Sequence, residues 1–278
     1  MTRPSDMLSL PPELIREIIE LVASDAISQD LAWVATSLVL VSRDIRAWVH
    51  PILYHTIHID EDNNIALLRL LVSKPSEFFA PLRHVILVEC FGRGRPPTCI
   101  ARLPPVQTCT VDYLGFLALQ SHYIATIRAT RIIMAFGAVP SLFDPRPFAA
   151  VTHLRLLLEE DVDWSPKFSL MPVLSHIIFD VLFRISSNAV LEANVRAALV
   201  VPSCQRVVVQ AVTDIVRSYA EGRFGNLVKA LRLLGDSRVY VARLDEEEWV
   251  LSFTGDARTC GSEARKGPDP WSIGDRVM

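Results

Sequence analysis

The sequence predicts an α/β protein: a small helical module at the N-terminus, then an irregular solenoid of parallel strands with helices on the outer side. Two observations carry this expectation. The first sixty residues hold three short segments with apolar residues at helical spacing. The remainder holds a recurring pattern (apolar, two spacers, apolar, one spacer, apolar) separated by helical stretches. Half of the 278 residues are hydrophobic and 21% are charged, so a sizeable core can be buried.

The first helix follows Leu10-Pro11-Pro12-Glu13, since prolines fit a first turn whose backbone donors have no intrahelical partner. Leu14, Ile15, Ile18, Ile19, Leu21 and Val22 give it a wide apolar face, opposite Glu13, Arg16 and Glu17. The polar stretch Ser24 to Asp30 reads as a loop, with Asp30 as N-cap of a second helix carrying Leu31, Val34, Ala35, Leu38 and Val41. Ser42 caps a third helix with Ile45, Trp48 and Val49 on its apolar side, which Pro51 ends or bends. Tyr54, Thr56, Ile57 and Ile59 then read as a first strand. Three short helices cannot bury this much apolar surface among themselves, so the surplus faces the body or a partner.

These segments resemble an F-box, of the kind abundant in mushroom-forming fungi. The resemblance rests on Leu10-Pro11-Pro12-Glu13, Ile18-Ile19, the run from Val41 to Trp48, and Pro51 to Tyr54. It covers residues 8–60, and it implies docking on the Skp-family adaptor of a cullin-type ubiquitin ligase. Carried over by position, it points to Leu10, Pro11, Leu14, Ile15, Ile18, Ile19, Trp48 and Leu53 as adaptor-binding residues. Ile15, Ile19 and Trp48 also suit the internal core of a three-helix unit. Leu10 and Pro11, at an otherwise polar terminus, favour an interface.

In the body, residues 61–254, the short pattern occurs at Leu82/Val85/Leu87, Val151/Leu154/Leu156, Leu174/Ile177/Phe179 and Cys204/Val207/Val209. Asp236/Val239/Val241 is a weaker copy, its first position being polar. The alternating part suits a strand with its apolar residues on one face. The long interval between Leu82 and Val151 has room for one or two irregular units. Helical spacing marks Val111 to Ile133, Asn188 to Val200 and Asp214 to Leu234, with Gly222 and Gly225 expected to break the last. Strand, helix, strand, helix argues for parallel strands. The pattern is similar to degenerate leucine-rich repeats. Cys90 matches the Asn or Cys expected after the strand, whereas Glu159, Leu182 and Val212 do not, so no side-chain ladder is expected along one edge. A non-repetitive α/β domain gives the same periodicity. The tail, residues 255–278, is rich in Gly, Pro, Asp, Arg and Ser, and its isolated apolar residues Trp271 and Ile273 point to disorder or loose docking.

No Walker loop, nucleophile elbow or HExxH motif is present. Gly92 to Pro97 lacks the third glycine of a dinucleotide loop. His50, His55 and His58 are near in sequence, but an extended segment places the last two on opposite faces, so no metal or other cofactor is expected. Glu159 and Asp161, with Trp164 after them, form an acidic and aromatic cluster that suits contact with a basic target protein. An enzyme built on the carboxylates around Asp161 would need them to line one pocket. Asp245 to Glu248 reads as a solvated edge.

A net charge of −3 without a basic stripe argues against nucleic acid as a partner. The longest apolar stretches, Leu31 to Val41 and Ile132 to Phe143, fall short of the ~20 residues that span a bilayer. No secretory signal is visible, and five cysteines without a CxxC pair suit buried thiols in cytoplasm or nucleus. The expected activity is binding without catalysis: a substrate receptor, or a protein-binding scaffold that assembles no ligase.

Overall fold

A computed structural model of the chain describes residues 10–29, 31–60, 62–87, 99, 102–112, 116, 129–134, 148–158, 162–182, 188–213, 217–245, 271 and 275–276. The first sixty residues hold helices α1 (Pro12–Gln29), α2 (Leu31–Thr36) and α3 (Arg43–Leu53), with a short 3-10 turn at Leu38–Leu40. Ala23, Val34, Leu38 and Val49 are their buried core, and Ile19, Ala26, Ile45 and Leu53 pack against it.

The expected loop from Ser24 is instead the second half of α1. The Ser24 hydroxyl donates back to the Glu20 carbonyl at 2.7 Å rather than drawing the backbone out of the helix. Ala23 and Ala26 also give that stretch an inward face. Asp30 lies outside the described residues. Ser42 does cap α3, its Oγ accepting from the Ile45 amide at 3.1 Å. Pro51 sits inside α3, which ends two residues later at Leu53.

The body is built on one sheet. Its strands are β1 (Thr56–Ile59), β2 (His84–Leu87), β3 (Thr108–Val111), β4 (Arg131–Met134), β5 (His153–Leu158), β6 (His176–Leu182), β7 (Arg206–Thr213), β8 (Val239–Asp245) and β9 (Asp275–Arg276). They lie side by side in chain order. The first eight are parallel, and β9 runs antiparallel to β8. Between them come α4 (Asn64–Ser73), α5 (Ser165–Phe168), α6 (Asn188–Val200) and α7 (Arg217–Arg232).

The pattern read from sequence sets the register. Val85, Cys109, Ile132, Leu154, Ile177, Val207 and Val239 are consecutive partners across seven strands. All are buried in one continuous core. The long interval after Leu82 holds two units, Val106/Cys109/Val111 and Ala129/Ile132/Met134, which repeat the same spacing. The segment Val111 to Ile133, read as mostly helical, therefore begins and ends in strands, although Phe116 within it is helical. β-Branched Thr108, Thr110 and Val111 at one end, and Ile132 and Ile133 at the other, suit a pleated surface better than a helix.

Gly222 and Gly225 do not break α7. Each glycine costs a helix only about 1 kcal/mol. Burial of Leu227 and Leu231, with Phe224 and Val228 packed against the core, offsets that cost.

Units are joined by a backbone ladder at the strand starts. The His55 carbonyl accepts from both Arg83 and His84, and the Arg83 carbonyl from Gln107 and Thr108. The same fork repeats at Gln107, Thr130, Thr152 and Ser175, each carbonyl accepting two amides of the next unit at 2.8–3.1 Å. The hydroxyls of Thr130, Thr152 and Ser175 also donate to the carbonyls of Gln107, Thr130 and Thr152, but the paired backbone amides are common to every joint.

The tail departs from expectation at Trp271, which is only 5% exposed. It clusters with Ile178, Val208 and Ala242 on the face of the sheet opposite the main core. The sheet is thus buried on both faces there, as parallel sheets are. Lone apolar residues need not build a core when one is already present to receive them.

Candidate functional site

α1 buries one side and leaves the other open. Ile19, Ala23 and Ala26 turn inward, at the spacing of successive helical turns. Leu14, Ile18, Leu21 and Val22 stay in solvent with Leu10, Pro11 and Ile15. Leu10 is 51% exposed, Ile18 48%, Leu14 45% and Ile15 39%. A helix apolar on so much of its circumference is of the kind normally covered on several sides. Trp33, Leu40 and Val41 add exposed apolar area from α2, the 3-10 turn and the residue after it.

Between α1 and α3 lies an open cleft of about 510 Å³, lined by Leu21, Trp48, Pro51 and Ile52 with Arg16, Glu17 and Glu20. Trp48 is half-buried there. Arg16 and Glu20 pair at 2.7 Å, one helical turn apart and exposed, so the pair adds little stability. Of the eight residues singled out by sequence, Leu10, Pro11, Leu14, Ile15 and Ile18 are exposed. Trp48 lines the cleft, and Ile19 and Leu53 are partly buried against the module's core. Leu21 and Trp33 are surface residues that apolar spacing does not reveal, since spacing places Leu21 on the apolar face of α1 without saying which side the module buries.

Of Glu159, Asp161 and Trp164, only Trp164 can be placed. Glu159 and Asp161 lie outside the described residues. Trp164 is fully buried, so it cannot meet a target. Its position is fixed by Asn194 of α6, itself fully buried, whose Oδ1 accepts from the Trp164 amide at 2.7 Å. The Asn194 Nδ2 donates to the Val162 carbonyl at 2.9 Å. One amide side chain thus ties the loop after β5 to a helix one unit later. A lone Asn on an apolar helix face is the signal that could have found it.

The three histidines near Pro51 diverge. His50 packs against Tyr54 and Phe78, with ring centroids 4.7 Å away in each case. Burial, then the charge of Arg46, lowers its pKa. The His55 Nδ1 meets the Thr56 hydroxyl at 3.1 Å, and His58 lies 3.5 Å from Asp60. Among the described residues, no group of three or more His, Cys, Asp or Glu could hold a metal ion. Cys99, Cys109 and Cys204 are free and buried, and burial pushes the first two thiols up to about 12. No helix among the described residues is long and apolar enough to cross a membrane.

The face of the sheet opposite the main core carries polar residues in register. His84, Thr108, Arg131, His153, His176 and Arg206 are successive partners across six strands. His153 and His176 stack at 4.5 Å with an interplanar angle of 6°, and the Arg206 guanidinium lies 3.6 Å over the Tyr240 ring. Farther along, Arg155 and Asp180 form a buried ion pair at 2.7 Å.

Comparison of the chain with protein-family models, with curated proteins and with solved structures gave no match.

Proposed function

We propose that this chain is a non-catalytic substrate receptor of the F-box type. The helices α1–α3 act as a docking module for a Skp-family adaptor of a cullin-type ubiquitin ligase. The body acts as an irregular leucine-rich-repeat-like solenoid that holds a target protein. The contribution to ubiquitin transfer is positional: a bound target is kept at high effective concentration near the transfer enzyme.

The observation that carries the reading is the exposed apolar side of α1, from Leu10 and Pro11 through Leu14 to Ile18. Burial of these residues against the body would have removed the surface an adaptor needs. The sequential parallel strands and their repeated buried triads support the repeat-like reading of the body.

The test is capture of a purified Skp-family adaptor by the full chain, beside a Leu10→Asp/Pro11→Ala variant whose circular dichroism is unchanged. Capture by the unmodified chain and loss in the variant is the expected result. No capture by the unmodified chain overturns the ligase reading and leaves a protein-binding scaffold.

A further inference from the structure

The helical module and the body keep separate hydrophobic cores among the described residues. Ala23, Val34, Leu38 and Val49 form one, and the buried residues of the sheet from Ile59 onward form the other. The chain passes between them quickly: α3 ends at Leu53, and β1 begins at Thr56. So short a passage keeps the two close, but it leaves the angle between them to a few backbone torsions at Tyr54 and His55. Beyond the passage, the His55 carbonyl is held by the Arg83 and His84 amides. Before it, the Tyr54 amide donates to the His50 carbonyl at 3.1 Å and continues the last turn of α3.

A wedge of rings sits at this passage. His50 and Tyr54 are one helical turn apart on one face of α3, with their ring centroids 4.7 Å apart. Phe78, in the 3-10 turn Ser76–Phe79, meets both edge-on, at 4.7 Å and 80° from His50 and at 4.6 Å and 64° from Tyr54. Its neighbour Phe79 is buried, with the two rings 5.1 Å apart, and the Phe79 carbonyl accepts from the Leu82 amide at 3.0 Å. Leu82 opens the first buried triad of the sheet. The Lys74 ammonium, at the end of α4, lies 5.5 Å over the Phe78 ring. Phe78 thus has its backbone in the body and its ring on the module. His50, Tyr54 and Phe78 are each only half-buried and belong to neither core. Rings packed edge to face hold a direction as well as a distance, because the positive edge of one seeks the negative face of the other.

We propose that Phe78 is a positioning residue: seated against His50 and Tyr54, it fixes the angle at which the helical module meets the sheet. The lock itself needs only the rings. Its use rests on the receptor reading, since a target on the body is then presented at a set place relative to an adaptor on α1.

The test follows the full chain, isotope-labelled, by NMR relaxation, and compares rotational correlation times of amides in α1–α3 with those in β5–β8. The unmodified chain is expected to give one common value. Phe78→Ser is expected to shorten the value for α1–α3 by at least ~1.5-fold while the strands keep theirs. His50→Ala removes the other side of the contact at a half-buried position and should act in the same direction; it decides the matter if Phe78→Ser fails to fold. His50→Phe keeps a ring there and should retain the common value. Unequal values in the unmodified chain, or equal values in a folded Phe78→Ser or His50→Ala chain, overturn the proposal. Capture of a purified Skp-family adaptor, read beside relaxation, should persist in each variant because α1 is untouched. No capture by the unmodified chain overturns the receptor reading and leaves the lock to stand or fall on relaxation.

Discussion

The Arg155 guanidinium donates from Nε to Asp180 Oδ2 at 2.7 Å, joining β5 to β6 with the carboxylate fully buried. Burial pushes the Asp180 carboxyl up from its ordinary value, and Arg155 pulls it back. Removing Asp180 takes away the carboxylate that offsets the buried Arg155 charge. Asp180→Leu should therefore cost about 3–5 kcal/mol in urea unfolding. The double change Arg155→Met/Asp180→Leu should cost clearly less than that single change. If the double variant is the less stable one, the pair contributes more than its own desolvation cost.

Asn194 gives a smaller and more local effect. Asn194→Ala removes the side-chain partner of the buried Trp164 amide and of the part-buried Val162 carbonyl, at a cost of about 1–3 kcal/mol. Hydrogen exchange should rise first at the amide of Trp164. Unchanged exchange there would mean that water replaces the side chain.

On α1, the stability and binding effects should separate. Leu14→Asp/Ile18→Asp alters exposed positions and should change stability by less than about 1 kcal/mol, while adaptor capture is lost. Ala23→Asp, in the module's core, should unfold the helices instead. Equal destabilisation by both variants, seen in thermal melts, would place the exposed stripe inside the folded core.

His50 should make the junction between module and body sensitive to acid. Its folded pKa lies below the ordinary 6.5 because burial, then Arg46, disfavours the charged ring. Below pH 6.5 the unfolded chain therefore binds this proton more readily than the folded one. Stability falls as pH drops from 6.5 through the lower folded value, and well above 6.5 this group adds no pH dependence. Urea midpoints for the native chain and for His50→Gln, compared at about pH 7.5 and pH 5.5, should converge at the acid end. Parallel midpoints would assign the acid sensitivity elsewhere.

The thiols should be inert. With Cys99 and Cys109 pushed up to about 12, almost none of either is thiolate at neutral pH. Peptide mapping after alkylation should find both unmodified in the native chain and labelled once urea unfolds it. Fast native labelling of Cys109 would show that β3 opens locally.

The strands were legible because a parallel sheet buried on one side by a continuous core repeats its apolar spacing whatever else the loops do. Val85, Leu154, Ile177 and Val207 were assigned to strands from that spacing alone. The units at Cys109 and Ile132 carry it too, but the interval reads only as room for one or two irregular units, and helical spacing over Val111 to Ile133 hides their strands. A further regularity went unread. Phe79, Phe148, Met171 and Val201 each stand three residues before a triad, are buried, and close a turn onto it through their carbonyl. Single-residue spacing at that distance carries no periodicity to detect. Ser24 and the glycines of α7 were misread because local propensity is weak against tertiary packing. Trp164 was misread because acidic neighbours say nothing about where an indole points. The exposed side of α1 was visible as surplus apolar surface, while which residues turn inward depended on α2 and α3.

The forked joints between strands, each a carbonyl taking two amides of its successor, have a consequence for which residues can stand there. The two amide bonds are common to every joint and the hydroxyls of Thr130, Thr152 and Ser175 only add to three of them, so histidine, arginine, glutamine, threonine and serine all serve. The seams thus tolerate a change of residue type without re-matching a side chain at each boundary, and the parallel register of the strands does not depend on which side chain stands at the joint.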